Sequence, residues 1–190
     1  MYLFFDTETT GLPKNYQAPL DDFLNWPRLV QLAWSVYDAD GNHWESYNYI
    51  IKPDGFVIPE EATKIHRISQ ERAMKEGVEV KKVLQQFVDQ VKKASHVIAH
   101  NIDFDEKIIG SEMLRNGLGE FIIPGKKICT MKSSVDICRI DNGRGSYKWP
   151  TLSELYRHLF QEDFSDAHDA MIDVNACAKC FFALKKKSLI

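Results

Sequence analysis

The chain has no excess of basic residues: 24 Lys plus Arg are outweighed by 27 Asp plus Glu, giving a formal net charge of -3. Proteins that coat duplex nucleic acid carry a global positive field, so that role is excluded and any contact with a polyanion must be local. Long hydrophobic runs are also missing. No stretch reaches the roughly 18 apolar residues of a membrane span, and no positive segment precedes an apolar one before the acid at Asp6. The expectation is a cytoplasmic protein that makes no membrane contact. Cysteine is scarce, with Cys129, Cys138, Cys177 and Cys180 alone. Cys177 and Cys180 have CxxC spacing, but they lie in a helical pattern without a second tight pair, which points to reduced, packed thiols rather than a zinc site. Repeats, low-complexity tracts and linkers are absent. At 190 residues, 44% of them hydrophobic, a single domain spanning 1–190 can bury roughly 70% of its unfolded surface without staples.

Tyr2 to Phe5 is a continuous apolar run of strand length that meets an acid at Asp6, as expected of a central strand buried on both faces. Leu29 to Tyr37 and Trp44 to Ile51 are rich in β-branched and aromatic residues and flank the turn signal Asp40-Gly41-Asn42, which predicts an antiparallel hairpin. From Pro59 the pattern turns helical: Glu60 to His66, a segment opening at Ser69, then Val80, Val83, Leu84, Phe87, Val88 and Val91 at helical spacing. Val97 to Ala99 reads as a short buried strand, followed by helices at about Phe104 to Asn116, Leu152 to Phe160 and Asp169 to Lys187. The sum is one α/β unit.

Four carboxylates stand where apolar residues belong. Asp6 and Glu8 are two apart, so a strand places them on one face, able to converge on one cation or a pair; the ordinary alternative is a solvated strand end. Asp173 shares a helical face with Ala170, Val174, Cys177, Phe181 and Leu184, and a carboxylate there needs a cation, whether metal, Arg or Lys. Asp105 lies on the face of Ile108 and Ile109, whereas Asp103 or Asn101 is better placed to cap that helix. His168 is five residues before Asp173 and cannot share its face; with Asp169 as N-cap, His168 stays on the incoming loop, free to swing over the site. Between Cys138 and Thr151, Arg139, Arg144 and Lys148 stand beside Tyr147 and Trp149. That mixture suits a single-stranded polyanion, with Arg144 and Lys148 as substrate contacts, or else a solvated loop whose rings pack beneath the next helix.

Asp6-Thr7-Glu8-Thr9-Thr10-Gly11-Leu12, the HNxDFD stretch from His100 to Asp105 and the His168-x4-Asp173 pair resemble, in order, the three motifs of the DEDD 3'-5' exonucleases. The branch resembled has a His in its third motif (DEDDh), and includes the epsilon proofreading subunit of bacterial DNA polymerase III and the three-prime repair exonucleases. The resemblance implies an RNase H-like fold: a mixed sheet of about five strands flanked by helices. It implies that Asp6, Glu8, Asp105 and Asp173 hold two divalent cations, Mg²⁺ or Mn²⁺, and that His168 is the general base. It implies substrate contacts from Thr7, Thr9, Leu12, His66, Asn101 and Phe104, with Arg67 standing where the family often has glycine.

The chemistry fits these residue types. Cleaving a phosphodiester requires an activated water and neutralisation of charge on the phosphoryl group and leaving oxygen, which paired hard cations on carboxylates supply. A histidine with an ordinary pKa near 6.5 can take the water's proton. The expected activity is release of nucleoside 5'-monophosphates from 3' ends of single-stranded DNA. An RNA exonuclease or oligoribonuclease, or a proofreading subunit with a DNA polymerase as partner, are the alternatives. Thr7 and Thr9, where RNA-specific relatives often carry a bulky residue and Met, favour DNA.

Overall fold

The computed structural model describes residues 1–164 and 168–190. The strands are β1 (Tyr2–Thr9), β2 (Leu29–Tyr37), β3 (His43–Ile50), β4 (His96–Ala99) and β5 (Lys126–Cys129). The helices are α1 (Glu60–His66), α2 (Gln70–Glu76), α3 (Val80–Lys93), α4 (Ile102–Arg115), α5 (Thr130–Ser133), α6 (Val135–Cys138), α7 (Leu152–Phe160) and α8 (Ala170–Lys186). The strands form one mixed sheet in the order β3-β2-β1-β4-β5: the first three pair antiparallel, and β4 and β5 run parallel to β1.

Each face of β1 has its own helical cover, which explains the unbroken apolar run. Leu3 and Phe5 pack toward α3 and α4, in a core with Leu84, Phe87, Val91, Ile108 and Ile109. Phe4 points the other way, with Ala33 and Ile98, onto Ala170, Val174, Cys177 and Phe181 of α8. Truncating the fully buried Phe4 to Ala would cost about 3–5 kcal/mol and loosen α8 from the sheet. The edge strand β5 contributes exposed Lys126 and Lys127, whose charges discourage pairing with another chain. Cys177 and Cys180 are buried free thiols held in the protonated form by burial.

Two local expectations are corrected. β1 does not stop at Asp6; it pairs with β2 as far as Thr9, so Asp6 and Glu8 are strand residues. Neither Asn101 nor Asp103 caps α4 through its side chain: Asn101 takes up a left-handed backbone at φ 80, and Asp103 pairs with Lys132. The segment after Ile128 forms the short helices α5 and α6, which no periodicity announced.

Candidate active site

The site forms at the C-terminal end of β1, beside that of its parallel neighbour β4, where the chain leaves the sheet and backbone groups are free to face a ligand. Strand alternation sends Asp6 and Glu8 to the α8 side with Phe4, and Thr7 to the α4 side with Phe5. α4 starts three residues after β4, and its first turn carries Asp105, 2% exposed, to the other side of β1. There the Thr7 N–H and Oγ1 both donate to Asp105 Oδ1, at 3.1 and 2.6 Å.

α8 supplies the fourth carboxylate. Asp169 is its N-cap, its side chain accepting from the N–H groups of Met171 and Ile172, so His168 stands off the helix as the motif spacing required. His168 adopts a left-handed backbone at φ 74, is exposed, and donates its N–H to Asp173 Oδ2 at 3.1 Å. Gln31, buried in β2 opposite Glu8, accepts from the Ala170 N–H at 3.2 Å and so fixes the start of α8 against the sheet. One ligand atom each from Glu8, His168 and Asp173 lies within 4.8 Å of the others.

Burial, reinforced by neighbouring acids, makes the cluster strongly proton-binding. Burial lifts Asp6 well above the usual carboxylate range, with Asp105, Asp173, Glu8 and Asp169 adding to it. Glu8 is pushed up to about 8 by burial and then by Asp173, Asp105 and Asp169. Asp105 rises to about 7 through burial, against the downward pull of the Thr7 hydrogen bonds. Asp173 rises to about 6, again through burial, opposed by its bond from His168. Among the described residues no lysine or arginine pairs with any of the four. Asp173 Oδ1 is buried without any hydrogen bond. A cluster of like charges with an orphaned carboxylate oxygen lacks positive charge, and an all-oxygen donor set fits hard divalent cations such as Mg²⁺ or Mn²⁺.

Beside the carboxylates opens a cleft of about 270 Å³ lined by Thr7, Thr9, Leu12, His66, Phe104 and His168 among others. Leu12 and Ile65 project at its mouth, 74% and 54% exposed. His66 is buried, and its Nδ1 accepts from the Ile68 N–H at 3.1 Å, which leaves the proton on Nε2. That Nε2 has no hydrogen bond of normal geometry, with the Thr9 carbonyl its nearby backbone acceptor, and burial lowers the imidazole's pKa. Asn101 lies at the α4 N-terminus without lining the cleft, and Arg67 occupies a left-handed position at φ 61, the backbone that favours glycine.

Arg144 and Lys148 stand apart from this cleft, in a second hairpin. Two larger hollows, one lined by Arg28, Phe56 and Arg115 and the other by Lys52, Met74 and Lys81, hold none of the four carboxylates. Sequence reasoning missed Gln31 and gave His100 no role. A lone amide within the apolar run Leu29-Val30-Gln31-Leu32 was the available signal for the first.

A mixed five-stranded sheet with helices on both faces and carboxylates gathered at the end of its first strand defines an RNase H-like fold. Residues 3–181 match the family model described as exonuclease (RNase_T). The chain belongs to this family of exonucleases. A search of curated protein sequences finds no match. Among solved structures, one of exonuclease I superposes with a TM-score of 0.76 at 19% identity, over 99% of this chain and 42% of that one. E. coli exonuclease I in complex with a dT13 oligonucleotide gives 0.73 at 19% identity, over 98% and 41%. The enzyme from Methylocaldum szegediense gives 0.71 at 20% identity, over 98% and 40%. The chain thus spans about two fifths of the proteins it superposes on. No helix among the described residues is long and apolar enough to cross a membrane.

Proposed function

We propose that residues 1–190 form one exonuclease domain of the DEDDh branch, which removes nucleoside 5'-monophosphates stepwise from the 3' ends of single-stranded DNA. The observation that carries the reading is the convergence of Asp6, Glu8, Asp105 and Asp173 with no cationic side chain among the described residues to balance them. Divalent cations, when bound, supply the charge that activates a water and neutralises the phosphoryl group. Asp6, Glu8, Asp105 and Asp173 would hold the cations, with Asp6 at the centre of the cluster. Asp105 is aimed by Thr7, and Asp173 by Gln31 and the α8 cap. His168, exposed beside Glu8 and Asp173, takes the proton of the attacking water. The apolar cleft of Leu12, Ile65 and Phe104 receives the terminal nucleoside, and the Nε2–H of His66 is free to turn toward it.

DNA is favoured over RNA by Thr7 and Thr9 in the first motif, and exonuclease I, which shares the fold, is known in complex with deoxyoligonucleotides. The test is digestion of 3'-labelled and 5'-labelled DNA and RNA oligomers of one sequence with Mg²⁺, Mn²⁺ or EDTA. Laddering of DNA from the 3' end, with metal only, is expected. Internal cuts, 5' laddering or turnover in EDTA would overturn the proposal, and preferential loss of the RNA would move it to ribonucleic acid.

A further inference from the structure

Residues 139–150 form a small hairpin set apart from the sheet. Asp141 bridges Tyr147, the Asn142 N–H donates to the Ser146 carbonyl at 3.0 Å and the Lys148 N–H to the Ile140 carbonyl at 2.9 Å. Its tip is held by side chains: Asp141 Oδ1 accepts from the Gly143 N–H at 2.7 Å and Asn142 Oδ1 from the Arg144 N–H at 2.8 Å. Residues 141–149 are all exposed, whereas Pro150 is buried.

Two features of this hairpin are unusual. Tyr147 and Trp149, two apart in sequence, remain 44% and 62% exposed rather than packing beneath α7. The segment carries Arg139, Arg144 and Lys148 against the single carboxylate of Asp141, in a chain whose net charge is -3. Rings left in water beside cations are costly to solubility and suit a ligand with flat faces and negative charge.

The hairpin is tied to the end of β4, where the second motif begins. His100, the residue after β4 and five before Asp105, donates from Nε2 to the Pro150 carbonyl at 3.0 Å, while its Nδ1 accepts from Thr130 Oγ1 at 3.0 Å. Burial holds this imidazole neutral, its pKa lowered to about 4. One residue beyond the anchor, Thr151 caps α7 with a reciprocal capping box to Glu154. Trp149 is therefore fixed next to a rigid junction that also positions the second motif.

We propose that this hairpin is a base-stacking platform for single-stranded nucleic acid, with Trp149 as its principal face and His100 as the residue that anchors it to the start of the second motif. The proposal rests on the nuclease reading only for the identity of the strand's other end. It assigns the enzyme a need for an unpaired stretch of several nucleotides, since a paired base has no free face to offer.

The test is equilibrium binding of a fluorescent oligothymidylate, short or long, and of the matching duplex, by anisotropy in EDTA so that nothing is cleaved. Trp149→Ala should weaken binding of the long single strand roughly five- to hundredfold, the range of one lost stacking contact. Trp149→Phe should restore most of it, the short oligomer should be insensitive, and thermal unfolding should match wild type. Equal affinity of wild type and Trp149→Ala for the long strand overturns the proposal, as does a Phe variant no better than Ala. Wild-type binding without cleavage in Mg²⁺ would instead overturn the proposed function and leave the platform standing.

Discussion

Thr7 and Asp105 are 98 residues apart in sequence and share two hydrogen bonds, the Thr7 N–H and Oγ1 both donating to Asp105 Oδ1. The pair ties β1 to the first turn of α4 and aims a buried carboxylate that has no cation of its own. Thr7→Val keeps the shape and removes the hydroxyl donor. It should cost about 1–2 kcal/mol in urea unfolding at neutral pH, between the worth of a neutral hydrogen bond and of one to a carboxylate, because Asp105 with its pKa raised to about 7 is there only partly ionised, and it should weaken Mg²⁺ binding measured by calorimetry. Unchanged stability and metal affinity would show that the backbone N–H alone positions Asp105.

Asp6→Asn and Asp173→Asn should each abolish turnover and leave the fold intact. Each also removes one of several repelling charges, so the metal-free variants should melt at a higher temperature than wild type in EDTA at pH 8. More than a tenth of wild-type rate in both variants would sink the cation assignment.

The same repulsion sets a pH dependence. Burial and mutual charge raise Asp6, Glu8, Asp105 and Asp173 above their unfolded values, Glu8 to about 8 and Asp105 to about 7. Between about pH 4 and 8 the folded state thus binds more protons than the unfolded one, and metal-free stability falls as pH rises through that window. His100 opposes this below about pH 6.5, because its folded pKa is lowered and the unfolded state binds its proton more readily. Denaturation midpoints in EDTA should be lower at pH 8 than at pH 6, and saturating Mg²⁺ should reverse the order. A midpoint that rises with pH in EDTA would contradict the raised carboxylates.

Much of this was legible in the sequence because charge on an apolar face is a contradiction that periodicity exposes. Asp173 among Val174, Cys177 and Phe181, and Asp105 beside Ile108 and Ile109, announced themselves this way, and Ser69 marked the start of α2 by its capping chemistry. What stayed hidden depends on tertiary register. Propensity alone cannot show that β1 continues through Asp6 to Thr9, since it does so by pairing with Ala33 through Leu29. β5 has only Ile128 and Cys129 as apolar residues, because an edge strand half in water needs no more. Thr7 reads as a turn residue until α4 is packed beside it. The left-handed backbone of Asn101 likewise denies it the cap that its side chain would favour.

His168→Ala should lower kcat by roughly 10² to 10⁴ with metal affinity nearly unchanged, as for a general base outside the cation shell. His168 lies close enough to Glu8 and Asp173 to serve as a ligand instead, and a collapse of Mg²⁺ binding in the variant would assign it that role.

Arg144 and Lys148 of the outer hairpin should not be equivalent. Lys148 Nζ donates to Glu154 Oε1 at 2.6 Å, and the other oxygen of that carboxylate accepts from the Thr151 N–H at the head of α7. Lys148 thus spends much of its charge on the capping box, in a surface pair worth about 0–1 kcal/mol to the fold. The Arg144 guanidinium has no partner among the described residues and is exposed at the hairpin tip. If it meets a phosphate, Arg144→Ala should raise KM for long single-stranded DNA and flatten the plot of log affinity against log salt by about one charge. Lys148→Ala should change that slope less, because Glu154 already offsets its charge, while lowering stability slightly through α7. Equal slopes for Arg144→Ala and wild type across a salt titration would remove Arg144 from the path of the strand and leave the aromatic face of Trp149 to act without it.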